Sequence, residues 1–120
     1  MNSFLIVDDS AFSRKMIANY VKKYFPGASV EYASDGEAGL QKFTEQRPEC
    51  VLVDLLMPKM GGLDLIRRLK ERGCEKIVVV SADVQKSVHD DVAALGVTAF
   101  LNKPLDDEKM RKLVAALKDA

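Results

Sequence analysis

The sequence predicts an α/β protein in which a five-stranded parallel sheet carries helices on both faces. Four short apolar runs, at residues 4–7, 51–53, 77–80 and 99–101, have the character of strands buried on both faces. Residues 29–33 form a weaker fifth strand candidate. Segments with apolar residues at helical spacing separate and follow these strands, and such strict alternation is typical of a doubly wound parallel sheet.

The predicted helices have recognisable boundaries. Ser34 is the expected N-cap of the second helix, because Glu37 stands three residues later and completes a capping box. Pro58 lies in the loop before the third helix, and Gly73 and Gly96 close the third and fourth helices. The apolar residues that indicate these helices are, helix by helix, Phe12, Met16, Ile17, Tyr20, Val21, Tyr24 and Phe25; Ala38, Leu40 and Phe43; Leu63, Ile66 and Leu69; Val84, Val88, Val92 and Leu95; and Met110, Leu113, Val114 and Leu117.

Composition and charge narrow the functional classes. The 120 residues fit one domain spanning residues 1–120, and 48% hydrophobic with 30% charged residues argues against disorder. Eighteen basic and eighteen acidic residues cancel, which disfavours a nucleic-acid or anionic-membrane surface. Cys50 and Cys74 are too few for a disulfide framework. With no secretory or membrane-spanning stretch, we expect a cytoplasmic protein without an attached effector domain.

Polar side chains suited to phosphoryl or metal chemistry follow the ends of the predicted strands. Asp8 and Asp9 follow the first strand, Asp54 the third, Ser81 the fourth, and Lys103 comes just after the fifth. In open parallel sheets, ligands bind outside the carboxyl ends of the strands. We therefore expect these five side chains to meet at one edge of the sheet.

The chemistry of this set favours phosphoryl transfer assisted by a metal ion. Three adjacent carboxylates repel one another, and a divalent cation removes that repulsion. Mg²⁺ prefers oxygen ligands and keeps waters that phosphate oxygens can replace. Asp54 is the candidate nucleophile, since a carboxylate can form an aspartyl-phosphate. Lys103 and Ser81 offer a positive charge and a hydrogen-bond donor to the phosphoryl oxygens.

Taken together, these residues resemble the receiver domain of two-component response regulators, over essentially the whole chain. The matching motifs are Asp8-Asp9-Ser10, Asp54 within Asp-Leu-Leu-Met-Pro, Gly61-Gly62, Ser81-Ala82, and Phe100 with Lys103-Pro104. The resemblance implies a flavodoxin-like, CheY-like sheet with strand order 2-1-3-4-5. It also implies a cis peptide bond before Pro104, and a phosphorylated signalling protein rather than an enzyme.

The resemblance further implies how Mg²⁺ is held as a cofactor. Asp54 is the expected phosphorylation site and one metal ligand. Asp9 would bind the ion directly, and Asp8 mainly through water. The backbone carbonyl of Leu56 would complete the protein ligands.

Other roles implied by the resemblance concern the response to phosphorylation. Ser81 is the expected switch hydroxyl, Phe100 the switch aromatic, and Lys103 the phosphate-binding lysine. Leu56 and Asp83 occupy the positions that tune dephosphorylation in this family. Because Leu56 offers no side-chain hydrogen bond to orient water, we expect a long-lived aspartyl-phosphate.

The expected partners also come from the resemblance. A histidine kinase would donate the phosphoryl group, docking on the first helix. A downstream target would bind the face formed by helix four, strand five and helix five, in chemotaxis or another pathway. The chain is expected to be a monomer, with dimerisation on phosphorylation as an option, and to bind neither nucleic acid nor membrane.

Alternative interpretations remain open at this stage. One alternative is a phosphotransfer intermediate that passes the phosphoryl group along a relay. A haloacid-dehalogenase-type phosphatase also uses an aspartate nucleophile, Mg²⁺, a hydroxyl and a lysine, although its first-strand signature is Asp-x-Asp. A flavodoxin-like cofactor protein shares the topology, but Asp8-Asp9 would repel the cofactor phosphate. More simply, Ser10 could cap the first helix, and His89 is expected to be a surface residue without a role in phosphotransfer.

Overall fold

A five-stranded parallel sheet organises the fold, and its strands, numbered by their order in the chain, lie in the spatial order 2-1-3-4-5, which confirms the predicted class. The computed structural model describes residues 2–57, 59–83 and 85–119. The predictions for Pro58 and Val84 lie outside the described residues. In chain order the elements are β1 (Ser3–Val7), α1 (Ala11–Tyr24), β2 (Ser29–Ala33), α2 (Gly36–Gln46), β3 (Cys50–Val53), α3 (Gly62–Glu71), β4 (Ile77–Ser81), α4 (Lys86–Ala94), β5 (Ala99–Asn102) and α5 (Asp107–Asp119).

Parallel pairing brings the strand ends to a common edge. Val7, the last residue of β1, pairs with Val53, the last residue of β3. Ser81 at the end of β4 pairs with Asn102 at the end of β5. The residues that follow these positions therefore leave the sheet side by side, as the sequence predicts.

The helices cover the two faces of the sheet because neighbouring strand residues point to opposite sides. In β1, Phe4 and Ile6 pack against α1 and α5, in a cluster that contains Ile17 and Leu113. The alternate residues of β1, Leu5 and Val7, belong to the second cluster, on the other face. That cluster contains Leu5, Val7, Leu40, Phe43, Leu65, Ile66, Leu69 and Val92, so α2, α3 and α4 cover this face.

One close approach between a helix and the sheet depends on glycine. A Cβ atom placed on Gly39 of α2 would lie 2.8 Å from Cγ2 of Val7. Such a distance is shorter than a van der Waals contact, and Val7 is fully buried and cannot move aside freely. Gly39 thus allows α2 to pack closely against β1, the strand that Asp8 and Asp9 follow.

The predicted N-cap of the second helix is wrong by one residue. The N-cap of α2 is Asp35, whose side chain accepts a hydrogen bond from the Ala38 amide. The exposed Ser34 lies one residue too early for this contact. On α1, Phe12 and Met16 are 74% and 42% exposed, so the apolar residues of this helix extend beyond its buried stripe.

The prediction for His89 also needs correction. This residue is half-buried on α4, not on a solvated face. Its imidazole stacks on the ring of Phe100, with 3.7 Å between ring centroids and 20° between planes. The fold brings α4 over β5, and that packing converts an expected surface residue into an aromatic contact.

Within the described residues, none of the helices has the length and apolar character needed to cross a membrane.

Candidate functional site

Three carboxylates meet at the carboxyl edge of the sheet. Oxygen atoms of Asp8, Asp9 and Asp54 all lie within 4.8 Å of one another. Asp8 is fully buried and Asp54 is 6% exposed, whereas Asp9 is exposed. The acidic cluster therefore has two buried members and one member at its mouth, as expected for a site that a small ligand enters from solvent.

The carboxylate of Asp8 is held by several donors. Its Oδ1 accepts a hydrogen bond from the Ser10 amide at 2.9 Å. Its Oδ2 accepts one from the Ser13 hydroxyl at 2.7 Å and another from the Lys103 ammonium at 2.8 Å. The Arg14 guanidinium donates to the backbone carbonyl of Asp8 at 2.7 Å. Asp8 is thus fixed by the first turns of α1 and by the loop after β5.

Lys103 links two acids of the cluster. Its Nζ lies 2.8 Å from Asp8 Oδ2 and 3.7 Å from Asp54 Oδ2. Its own amide donates to the carbonyl of Ser81 at 2.9 Å, which ties the β5–α5 loop to the end of β4. The peptide bond to Pro104 is cis, in agreement with the sequence-based expectation.

Burial raises the pKa of Asp54 above its ordinary value, and the nearby Asp8 carboxylate adds to the effect. Three groups oppose the rise in pKa: the Lys103 ammonium, the Leu56 amide, which donates to Asp54 Oδ1 at 3.4 Å, and the Ser81 side chain. Burial of Asp54 thus outweighs the favourable contacts that its ionised form makes with these groups. A cation bound at this edge would favour the ionised form.

The residue composition fits a hard divalent cation. Carboxylate oxygens are the ligands that Mg²⁺ prefers, and it needs few of them because it retains water. Here the single ammonium of Lys103 offsets only one of three carboxylate charges. Asp8, Asp9 and Asp54 are therefore the residues that would hold such an ion, and their predicted proximity is observed.

Ser81 and Asp83 form a second part of the edge. Ser81 is completely buried at the end of β4, and its Oγ accepts a hydrogen bond from the Asp83 amide at 3.3 Å. Asn102 donates from Nδ2 to the Asp83 carbonyl at 3.1 Å. Asp83 itself caps the next turn, since its Oδ1 accepts from the Gln85 amide at 2.9 Å. This loop leads directly into α4.

Two residues of the predicted set have no side-chain hydrogen bond to offer the carboxylates. Phe100 is half-buried in β5 and contacts His89. Leu56 follows Asp54 by two positions and is 60% exposed. Its backbone amide, rather than its side chain, reaches Asp54.

Sequence reasoning missed Ser13, Arg14 and the stacking partner His89. The sequence did contain a signal for Ser13, because this residue stands three positions after Ser10, a candidate N-cap of the first helix. In the structure, the Ser13 amide donates to the Oγ of Ser10 at 3.2 Å. A residue at that helical position lies close to the end of the preceding strand. No comparable local signal identified the contact between His89 and Phe100.

Comparison with known proteins supports the resemblance to receiver domains. A family model described as "Response regulator receiver domain" matches residues 4–115. A protein-glutamate methylesterase/protein-glutamine glutaminase from Koribacter versatilis is 40% identical over 96 residues, covering 80% of this chain and 26% of that protein. The chain therefore spans about a quarter of the length of this curated relative.

Solved structures give the same result. A response regulator receiver protein from Pseudomonas putida has 34% identity and a TM-score of 0.84, covering 99% of this chain and 97% of the other. A chain of the CheX-CheY-BeF3-Mg complex from Borrelia burgdorferi has 26% identity and a TM-score of 0.85, covering 98% of this chain and 87% of the other. These matches favour a receiver over the phosphatase and flavodoxin-like alternatives. The chain belongs to the response regulator receiver domain family.

Proposed function

We propose that this chain is a phosphorylation switch in which Asp54 accepts a phosphoryl group from a histidine kinase. The observation that carries the proposal is the position of the Lys103 ammonium, which lies between Asp8 and Asp54 at an edge with three carboxylates. An ammonium beside a nucleophilic carboxylate can stabilise the negative charge of the phosphoryl oxygens.

In the proposed reaction, an Asp54 carboxylate oxygen forms the new bond to phosphorus. The bond between phosphorus and the donor imidazole nitrogen breaks, and the electron pair of that bond stays on the imidazole. Lys103 binds the phosphoryl oxygens, and the Ser81 hydroxyl donates a hydrogen bond to them after transfer. Mg²⁺, when bound, would neutralise charge on the phosphoryl oxygens.

The chain's own residues would hold that ion in the manner implied by the family. Asp9 is the exposed acid of the cluster and a direct ligand in this proposal. Asp54 and the backbone carbonyl of Leu56 complete the protein ligands, and Asp8 acts mainly through water. Chelation of the ion should accordingly prevent phosphorylation.

The proposed output is a change of the surface formed by α4, β5 and α5. After transfer, Ser81 and its loop move toward the phosphoryl group, and Phe100 turns inward. The contact between the Ser81 hydroxyl and the Asp83 amide offers a direct route from the site to the start of α4. A downstream target reads the changed surface, and one new dianion provides the energy for the change.

The kinase is proposed to dock on the exposed part of α1. Phe12 and Met16 form an exposed apolar pair one helical turn apart. They line a groove of about 480 Å³ together with Tyr20 and Leu105, and Lys103 is also part of its wall. An apolar surface beside the acidic cluster is suited to orient a phosphodonor, because exposed apolar patches commonly mark protein interfaces.

The pathway and compartment are also proposals. Chemotaxis is favoured because solved relatives include a CheX-CheY complex and a chemotaxis protein from Vibrio cholerae. A cytoplasmic location is consistent with Cys50 and Cys74, both buried free thiols. As an intermediate in a phosphorelay, the chain would use the same acceptor chemistry. A monomeric state, with dimerisation on phosphorylation as an option, stays a prediction.

The decisive experiment is intact-mass spectrometry after incubation with acetyl phosphate, with Mg²⁺ and with EDTA. We expect a gain of one phosphoryl group in the wild type with Mg²⁺, and none in Asp54→Ala. Asp64→Ala is the matched control, because Asp64 is an exposed acid on α3; it should be phosphorylated like the wild type. Phosphorylation that persists in Asp54→Ala would identify a different acceptor. No gain in the wild type, from acetyl phosphate or from a purified histidine kinase, would contradict the proposed function.

A further inference from the structure

One oxygen of the buried Asp8 carboxylate is shared by two donors from distant parts of the chain. Asp8 Oδ2 accepts from the Ser13 hydroxyl at 2.7 Å and from the Lys103 ammonium at 2.8 Å. Among the described residues, these are the two side chains that donate to this oxygen. Ser13 belongs to α1, whereas Lys103 lies in the loop after β5.

In the observed arrangement Lys103 is engaged mainly with Asp8. The ammonium lies 3.7 Å from the nearest Asp54 oxygen, almost 1 Å farther than its distance to Asp8. Binding to a phosphoryl group on Asp54 requires the ammonium to move toward Asp54. Asp8 Oδ2 then loses one of its two donors.

Bulk water cannot easily replace that donor. The Asp8 side chain is only 1% exposed, while the Lys103 side chain is 23% exposed. A buried carboxylate oxygen without a hydrogen-bond donor is energetically costly, and the cost opposes release of the ammonium.

Ser13 is placed to remain when Lys103 leaves. It lies in the first turn of α1, and its amide donates to the Ser10 Oγ at 3.2 Å, within the N-cap of the helix. That turn is held further by Arg14, which donates to the Asp8 carbonyl. Neither contact involves the loop that carries Lys103, so movement of the lysine leaves the Ser13 hydroxyl in place.

We propose that Ser13 is a positioning residue that keeps Asp8 satisfied while Lys103 moves to the phosphoryl group. The inference rests on the proposed function, because it concerns the same lysine and the same acceptor. Removing the hydroxyl strengthens the dependence of Asp8 on Lys103. The variant therefore releases the ammonium less readily and binds the phosphoryl group less tightly.

The test measures binding of beryllofluoride, a phosphoryl mimic, by ¹⁹F NMR at saturating Mg²⁺. Binding of Mg²⁺ alone is measured separately by calorimetry. We expect Ser13→Ala to weaken beryllofluoride binding roughly fivefold or more, from the usual cost of an unsatisfied buried group. The change in Mg²⁺ affinity alone should be clearly smaller, because Lys103 stays on Asp8 in that state. Ser13→Thr keeps a hydroxyl and should restore most of the beryllofluoride affinity.

Two further variants make the result specific. Ser29→Ala removes an exposed hydroxyl on β2 that donates to the Asn2 carbonyl, away from the site, and should bind like the wild type. In a Lys103→Ala background, which has no ammonium to release, Ser13→Ala should have little additional effect. Thermal melting of each variant without Mg²⁺ confirms that it folds.

The outcomes separate the inference from the function on which it rests. If the wild type fails to bind beryllofluoride with Mg²⁺, the proposed function fails, and this inference fails with it. If the wild type binds and Ser13→Ala binds equally well, water on the cation rather than Ser13 satisfies Asp8. Equal losses of beryllofluoride and Mg²⁺ affinity would show that Ser13 merely shapes the metal site, which also overturns the inference.

Discussion

Replacing Asp54 by asparagine should stabilise the folded protein when no divalent cation is present. In the wild type, Asp54 is almost fully buried beside two other carboxylates, with one ammonium 3.7 Å away. The substitution removes the charge and keeps nearly the same shape. Lys103 is not left without a partner, because it keeps its closer contact with Asp8.

The sign of the effect depends on how the charges balance. At an effective dielectric constant of about 20, attraction to Lys103 at 3.7 Å amounts to roughly 4.5 kcal/mol. Repulsion from Asp8, within 4.8 Å, is at least about 3.5 kcal/mol on the same basis. The exposed Asp9 adds about 1 kcal/mol, since water screens it strongly. These contributions nearly cancel, so the cost of burying the ionised carboxylate decides the outcome.

A stabilisation of about 1–2 kcal/mol is therefore expected, because burial of an ion costs several kcal/mol and the buried amide retains part of the cost of a polar group. For 120 residues, an unfolding entropy of about 2.1 cal/mol/K per residue converts this to a rise in Tm of about 4–8 °C. Thermal melting near neutral pH with EDTA measures it. Asp64→Asn, at an exposed position, is the control and should change the free energy of unfolding by less than about 0.5 kcal/mol.

The dependence on pH and on cations tests the explanation. Because the pKa of Asp54 is raised on folding, the folded protein binds this proton more tightly than the unfolded chain. The destabilisation is thus complete above the raised pKa and disappears as pH falls below the ordinary value of about 3.9. The advantage of Asp54→Asn should shrink across that window. Millimolar Mg²⁺ should raise the Tm of the wild type more than that of the variant. A variant no more stable than the wild type in EDTA would refute the reasoning.

Three other substitutions have defined expected outcomes. Gly39→Ala should lower the free energy of unfolding in urea by about 1–3 kcal/mol, because the new Cβ would lie 2.8 Å from Val7; an unchanged value would show that α2 moves freely. Leu56→Asn should shorten the lifetime of the aspartyl-phosphate in Mg²⁺ buffer by providing a side chain that orients water; decay of the wild type at an equal or faster rate would contradict this. His89→Ala should shift the ring resonances of Phe100 in NMR spectra and cost about 0.5–1.5 kcal/mol of stability; unchanged resonances would exclude the stacked arrangement in solution.

Much of the fold was predictable because the relevant signals are local. Strands buried on both faces leave continuous apolar runs, as in β3 and β4. The weaker and mostly exposed strand β2 was also predicted with the bounds that the structure has, Ser29–Ala33. Alternation with helices is sufficient to specify parallel strands, whose ends must share an edge. Asp8, Asp54 and Ser81 follow such ends or stand on them, so their convergence could be predicted without knowledge of the packing.

Finer local features were less accessible. Ser34 and Asp35 are both good N-cap residues, and their order in the sequence does not determine which of them the backbone uses. For α1, periodicity correctly predicted a helix but not the width of its buried stripe. Phe12 and Met16 remained exposed because no other element of the described chain covers them completely.

The sequence by itself therefore determined the fold class, the strand order through family resemblance, and the set of residues at the acidic edge. Only the tertiary structure decided which atoms of that set meet. Lys103 reaches Asp8 across 95 positions of sequence, Ser13 shares the same oxygen, and His89 stacks on Phe100. The physical reason is that strand runs and caps depend on neighbouring residues, whereas these contacts depend on side-chain rotamers and on how separate helices and loops pack over the sheet.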